Sequence, residues 1–275
     1  MDWVRLVQPQ EIVNKEITIS ASDILANLPY HPDAGLWFDN DLKTAAEERP
    51  PAELARRYAA LPSAAHIVYE HYRVAHPELS RYEPMLEEVD RLDSARLSRA
   101  DVLDPQGYIL LGFTLDPRSG LGPIDEYFHL LLEGLKEEPL EEILRYPEVE
   151  ARVQRMQEQD RSFRAQLHAH SSLHGRVILT DLREMTKIPV GNRFLVFTLY
   201  PEGNVSVRVQ NDSVREGVSV SVGRSILNRT NTVDVGALMA RFGGGGHAGA
   251  GSCLLRSHEA DAQVAEIVSA LAIEE

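Results

Sequence analysis

Phe242–Gly251 reads FGGGGHAGAG, with four consecutive glycines, Gly243, Gly244, Gly245 and Gly246, ahead of His247. An ordered glycine run costs conformational entropy, so it needs a reason. The usual one is close approach of backbone to a ligand. Without Cβ atoms, successive N–H groups can turn inward and form a concave anion site. Gly249 and Gly251 keep the far side equally bare. His247 adds an imidazole donor, the side-chain type whose charge changes near neutral pH. Regular elements frame the run. Val235, Leu238, Met239 and Phe242 make an i, i+3, i+4, i+7 helical stripe before it, and Cys253-Leu254-Leu255 resumes an apolar segment after it. That framing favours an ordered loop for a phosphate or terminal carboxylate over a flexible linker.

Outward from this stretch, the C-terminal part reads as α+β. Val205, Val207 and Val209 alternate with Ser206 and Arg208. Val218, Val220 and Val222 alternate with Ser219 and Ser221. Both patterns are half-buried strands. Pro201-Glu202-Gly203-Asn204 reads as a hairpin-like turn between strands, one of them running through Tyr200. Val264, Ile267, Val268 and Leu271 share one face of a final helix. Glu133–His174 is rich in Glu and Arg and fits a long helix. His168, His170 and His174 invite a metal reading, but their spacing is not a standard zinc pattern and no cysteine supports it, which favours the bland reading.

The N-terminal part reads as α/β. Ile17-Thr18-Ile19 and Leu36-Trp37-Phe38 are short apolar runs consistent with strands. Asp39 follows the second directly, at a strand's carboxyl end, where open α/β sheets put ligands. A surface turn is the other reading of Asp39. Ser63 is an N-cap for a helix to about Val74, and Ile124 to Leu135 carry a second helical stripe. Asp90 and Asp93 are three apart, so on a helix both carboxylates face one side. Such a pair can share a metal or form a solvated face.

The chain has 275 residues and a formal net charge of −14, with 43% hydrophobic and 25% charged residues. That charge opposes non-specific binding to DNA or anionic membranes. Arg193, Arg208, Arg215, Arg224 and Arg229 leave room for a local basic cleft or a solvated strand face. Cys253 is the single cysteine, so no intrachain disulfide forms and a cytoplasmic, reducing location is expected. No stretch approaches the ~20 apolar residues of a membrane span, and the N-terminus lacks a signal pattern.

Thr232–Gly251, TVDVGALMARFGGGGHAGAG, resembles the end of the substrate-binding (DHHA1) domain of DHH-family phosphoesterases. Val218–Ser225, VSVSVGRS, resembles the Arg-Ser strand before it. Gly191-Asn192-Arg193-Phe194 resembles the exopolyphosphatase-related branch. Asp23–Asp41, DILANLPYHPDAGLWFDND, falls where that branch has its DHH signature, and Val89–Ala95, VDRLDSA, where it has its fourth acidic motif. The resemblance covers nearly the whole chain. It implies an α/β fold: a DHH-like domain over 1–135 incomplete at its start, a helical linker over 136–175, and a smaller α+β DHHA1-like domain over 176–275.

The resemblance also implies site roles. Asp39 and Asp41 fall at the catalytic triplet, and Asp39, Asp41, Asp90 and Asp93 at metal positions, manganese being the family's usual metal. Gly243, Gly244, Gly245, Gly246, His247 and Arg224 fall at substrate-binding positions, on a cleft between the domains. Two departures stand out. The opening acidic motif has no counterpart, since Met1-Asp2-Trp3-Val4 begins where the family is already past it. The triplet reads Asp39-Asn40-Asp41, an amide and a carboxylate in place of two histidines. Losing most ligands should cost metal affinity severely. The expected function is binding of a phosphate-bearing small molecule or short oligonucleotide with reduced or lost hydrolysis. The alternative is an active manganese-dependent phosphoesterase acting on phosphate chains or short oligonucleotides. An unrelated α/β binding protein with a glycine-rich loop is a third reading. A homodimer stays open.

Overall fold

The computed structural model describes residues 3–40, 51–52, 61–116, 119–212 and 214–272. Asp41 lies outside the described residues. The chain divides into two compact units, Met1–Arg96 and Leu97–Glu275.

In the first unit, a short helix α1 (Pro9–Val13) precedes two parallel strands, β1 (Ile24–Ala26) and β2 (Leu36–Phe38). Helix α2 (Ala64–Tyr72) follows, then a 3-10 turn and helix α3 (Glu83–Asp93). Leu25, Trp37, Phe38 and Ile67 form the core between the strands and α2. The Trp37 indole N–H donates to the Leu28 carbonyl at 2.8 Å, which lets the largest core side chain bury its polar end. Ser63 caps α2 as its position predicts, accepting from the His66 N–H at 3.0 Å. The expected strand at Ile17–Ile19 is absent. Asp23 instead ties down Ser20, through its N–H and hydroxyl at 2.8 Å each, and pairing starts only at Ile24. Ile19 still packs on the core, so the apolar run partly buries its side chain without becoming sheet.

The second unit opens with helices α4 (Arg99–Leu103), α5 (Gly107–Thr114), α6 (Asp125–Glu137), α7 (Leu140–Ile143) and α8 (Pro147–His170). The stripe read at Ile124–Leu135 is α6, and the long helix expected before His174 is α8. Strands β3 (Ser171–His174) and β4 (Val177–Asp181) come next, then helix α9 (Leu195–Leu199), strands β5 (Val205–Asn211) and β6 (Val218–Arg224) and helix α10 (Val235–Ala240). Strands β7 (Gly245–His247) and β8 (Ala250–Leu255) and helix α11 (Ala260–Leu271) end the chain. The sheet order is β3-β4-β5-β6-β8-β7, antiparallel except for β4 beside β5. The valines of β5 and β6 face Leu238 and Met239 of α10 and Val264, Ile267 and Leu271 of α11 in one core.

Two expectations near Tyr200 are corrected. The segment read as a strand is helix α9, and the Pro201–Asn204 turn joins that helix to β5 rather than two strands. Leu195, Val196, Phe197 and Thr198 are all buried. A wholly buried run shows neither period, so its pattern does not separate helix from strand.

Gly191 packs against α8: a Cβ there would stand 2.4 Å from Phe163 Cδ1 and 2.7 Å from its Cβ. Gly191→Ala should therefore destabilise by about 1–3 kcal/mol through overpacking, read as a lower urea midpoint at unchanged slope.

Candidate functional site

The glycine run is a helix cap followed by an edge strand. Gly243, at φ 74, ends α10 in the left-handed region that favours glycine. The Gly243 and Gly244 N–H groups donate to the Ala240 and Met239 carbonyls at 3.2 and 3.0 Å. These two donors are spent on the helix end, so the inward nest expected of the run is not built from them. Gly246 has both a φ of 150 and a carbonyl oxygen, that of Ala250, 2.2 Å from where its Cβ would be. Gly236 on α10 likewise meets the Gly246 carbonyl at 2.6 Å. These glycines let helix and hairpin touch backbone to backbone.

Gly245 is different. Its φ is not left-handed, and a Cβ there meets nothing within 4 Å. Register explains why. Gly245 pairs with Ser252 and His247 with Ala250, and those in turn pair with Ser221 and Gly223 on β6. Paired residues point to one face. This face lies opposite the valine core, and Ser221, Ser252, Gly245 and His247 are all exposed on it. As an edge strand, β7 has backbone groups that the sheet does not pair, and Gly236 of α10 packs against the Gly246 carbonyl and the His247 N–H. His247 Nδ1 accepts the Gly249 N–H at 3.1 Å, so a neutral ring carries its proton on Nε2 and offers a donor. Arg224, at the end of β6, braces the hairpin: its N–H reaches the Gly249 carbonyl at 2.9 Å and Nη1 the Ala248 carbonyl at 3.4 Å. The structure thus brings Arg224, Gly243–Gly246 and His247 to one hairpin.

The acidic residues gather in the first unit. Asp39 follows β2 and is 1% exposed. Beside it, Asn40 Nδ2 donates to Asp93 Oδ2 and to the Leu61 carbonyl, each at 3.4 Å. Asp90, one turn before Asp93 on α3, is 7% exposed. Its Oδ1 accepts the Ser63 hydroxyl at 2.6 Å, and its Oδ2 lies 2.7 Å from His66 Nδ1. Both carboxylate oxygens therefore hold protein donors. His66 was missed by sequence reading, although the Ser63-x-x-His66 spacing puts it in the first turn of a capped helix. Asp90→Ala should cost about 2–3 kcal/mol by urea denaturation, because it strands the buried Ser63 hydroxyl and the part-buried His66 N–H at once. Asp90→Asn keeps one acceptor and should cost less.

Other groups do not assemble. Among the described residues, no three His, Cys, Asp or Glu side chains are arranged to hold a metal ion. His174 Nε2 is engaged with the Ser172 hydroxyl at 2.9 Å. An open groove of about 550 Å³ is lined by residues including His170, Asp181, Arg183 and Asp261. The Arg183 guanidinium is already forked on Asp181 and bonded to Asp261 at 2.6 Å, and its bonds to Asp181 hold that carboxyl below its ordinary range. Arg215 pairs with Asp212 at 3.1 Å. Among the described residues, no helix is long and apolar enough to cross a membrane.

No family model matches the chain, and no curated protein does. Solved structures do. The pGpG-specific phosphodiesterase PggH of Vibrio cholerae is 31% identical with a TM-score of 0.83, over 98% of this chain and 90% of that one. An exopolyphosphatase-related protein from Bacteroides fragilis is 14% identical over 53% of this chain and 43% of that one, with a TM-score of 0.36. The DHH domain of a member of a ribosomal protein family is 14% identical over 76% of this chain and 54% of that one, with a TM-score of 0.46. The last two are too distant to carry an argument. The first aligns along nearly the whole length, acidic unit and glycine hairpin included, and on that likeness the chain belongs to the DHH/DHHA1 phosphoesterase family.

Proposed function

We propose that the chain binds a short 5′-phosphorylated oligonucleotide of the pGpG type on the open β6–β8–β7 face, and that its hydrolysis is weak or lost. The observation that carries the binding half is Gly245, a glycine that neither packing nor backbone conformation requires, on an exposed face beside the His247 donor. A side chain there would fill space that a ligand needs. The name of the 31% identical relative supplies the ligand class.

The hydrolytic half rests on Asn40. Phosphodiesterases of this family are metal-dependent, and a metal needs acceptor atoms. At the position where the family has an imidazole, Asn40 turns an N–H donor toward Asp93. Asp90 has both oxygens engaged. The described donors do not fit a two-metal centre.

A second reading, an active manganese-dependent phosphodiesterase, is favoured by buried Asp39 at the carboxyl end of β2. Calorimetric titration with pGpG, followed by product analysis with and without Mn²⁺, separates the two. Tight binding with background turnover supports the first. Fast turnover that Asp39→Ala abolishes supports the second. Absence of binding overturns both.

A further inference from the structure

Arg208 sits on β5 opposite Ser221, so it shares the outer sheet face with Ser252 and Gly245. Its guanidinium lies 5.8 Å from the centroid of the Phe163 ring on α8. Nη2 donates to the Pro189 carbonyl at 3.1 Å, while Nε is buried without a partner. Burial alone pulls its pKa down, with no carboxylate opposing the shift. Other arginines are better satisfied. Arg183 is forked on Asp181, and Arg152 donates to the carbonyls of Thr114 and Pro123 while stacking 4.0 Å over Tyr127. The surroundings hold Arg208 in place: Gly191 backs onto Phe163, and the Asn192 N–H is tied to Asp160 at 3.0 Å.

A part-buried cation whose buried Nε has an unmade hydrogen bond, with no counter-charge beside it, is costly. Such a cost is tolerated at binding sites, where a ligand supplies the missing partner. Arginine's planar fork suits a phosphate, and the serines beside it leave the approach open. Distance then restricts the ligand. Arg208 and Gly245 are separated by three strand intervals, about 14 Å at ~4.8 Å each. One phosphate held at Gly245–His247 does not reach across. The two phosphates of a dinucleotide, one sugar apart, cover part of that span, and the Arg208 side chain has to cover the remainder.

We propose that Arg208 is a specificity-determining residue that takes a second phosphate of an extended ligand, so that this face prefers a dinucleotide to a mononucleotide. The proposal rests on the reading of the open face as the ligand surface. The test is calorimetry on the full chain with pGpG, GMP and inorganic phosphate, beside thermal melts without ligand. Arg208→Met should melt no lower than wild type, since it removes an uncompensated charge. It should weaken pGpG about tenfold or more, the value of a charge-assisted bond, and leave GMP and phosphate unchanged. Arg208→Lys keeps the charge without the fork, so it should fold and fall between, and it decides the matter if the methionine variant does not fold.

A lower melt with unchanged pGpG affinity marks a packing residue and overturns the proposal. Equal losses for pGpG and GMP overturn the length preference. Gly245→Val separates this from the parent reading. If it weakens pGpG binding severely while Arg208→Met does not weaken it, only the Arg208 proposal fails. If Gly245→Val binds like wild type, or wild type binds none of the three, both fail.

Discussion

With pGpG as substrate and Mn²⁺ added, the wild-type chain should turn over at or near background. Two-metal hydrolysis works by activating the attacking water and stabilising the leaving oxygen, and each metal supplies several kcal/mol of charge stabilisation. Every 1.36 kcal/mol is a factor of ten in rate, so losing even one metal should cost about a thousandfold or more. The prediction rests on the resemblance that puts Asp39-Asn40-Asp41 at the position of the family's aspartate and two histidines. Asn40 spends a donor on Asp93, and Asp90 is held by Ser63 and His66. Changing Asn40→His together with Asp41→His supplies imidazole acceptors and should raise Mn²⁺-dependent turnover measurably above wild type. Two metal peaks about 3.5–4 Å apart at these residues in the wild type would sink the prediction. So would wild-type turnover that vanishes in Asp39→Ala while the variant stays folded.

The parts of this molecule that were legible in the sequence share one trait: their signal is local. The valine alternation of β5 and β6 survives intact because one face is buried and the other is not. Ser63 is a cap because its hydroxyl reaches only three residues on. The helical stripe at Val235–Phe242 and the apolar Cys253–Leu255 found their elements for the same reason. Misreadings arose where tertiary context decided. Leu195–Leu199 is buried on nearly every side, so its pattern carries no period, and Ile17–Ile19 partly buries a side chain without a strand to pair with. The glycine run reads in sequence as one loop with one purpose. It holds three: a left-handed helix end at Gly243, backbone contacts at Gly244 and Gly246, and open space at Gly245. Likewise, nothing local joins His66 to Asp90, 24 residues away, or Arg208 to Gly245 across three strand intervals. Those associations exist only through register and helix packing.

Gly245→Val should weaken ligand binding severely while leaving the fold intact. Gly245 is not in the left-handed region, and its Cβ direction is empty to 4 Å, so valine enters without strain. A β-branched residue suits an extended strand, and losing a glycine lowers unfolded-state entropy, so the melting temperature should hold or rise slightly. On the exposed face, however, the two methyl groups occupy the surface beside His247. A bound phosphate would be pushed away from the β7 backbone and from the imidazole together. Losing two such contacts should weaken pGpG about a hundredfold, near 2.7 kcal/mol. Gly246→Val is the contrasting variant. Its Cβ would fall 2.2 Å from the Ala250 carbonyl oxygen, so it should lower the melting temperature as well as binding. Exposure of Gly245 and His247 adds a salt signature, because an exposed anion site is screened over a Debye length of about 8 Å at physiological ionic strength. Wild-type affinity should fall steadily with added salt, against a protein whose net charge of −14 already opposes the ligand. Equal pGpG affinity in wild type and Gly245→Val would mean that the bare position serves the hairpin rather than a ligand.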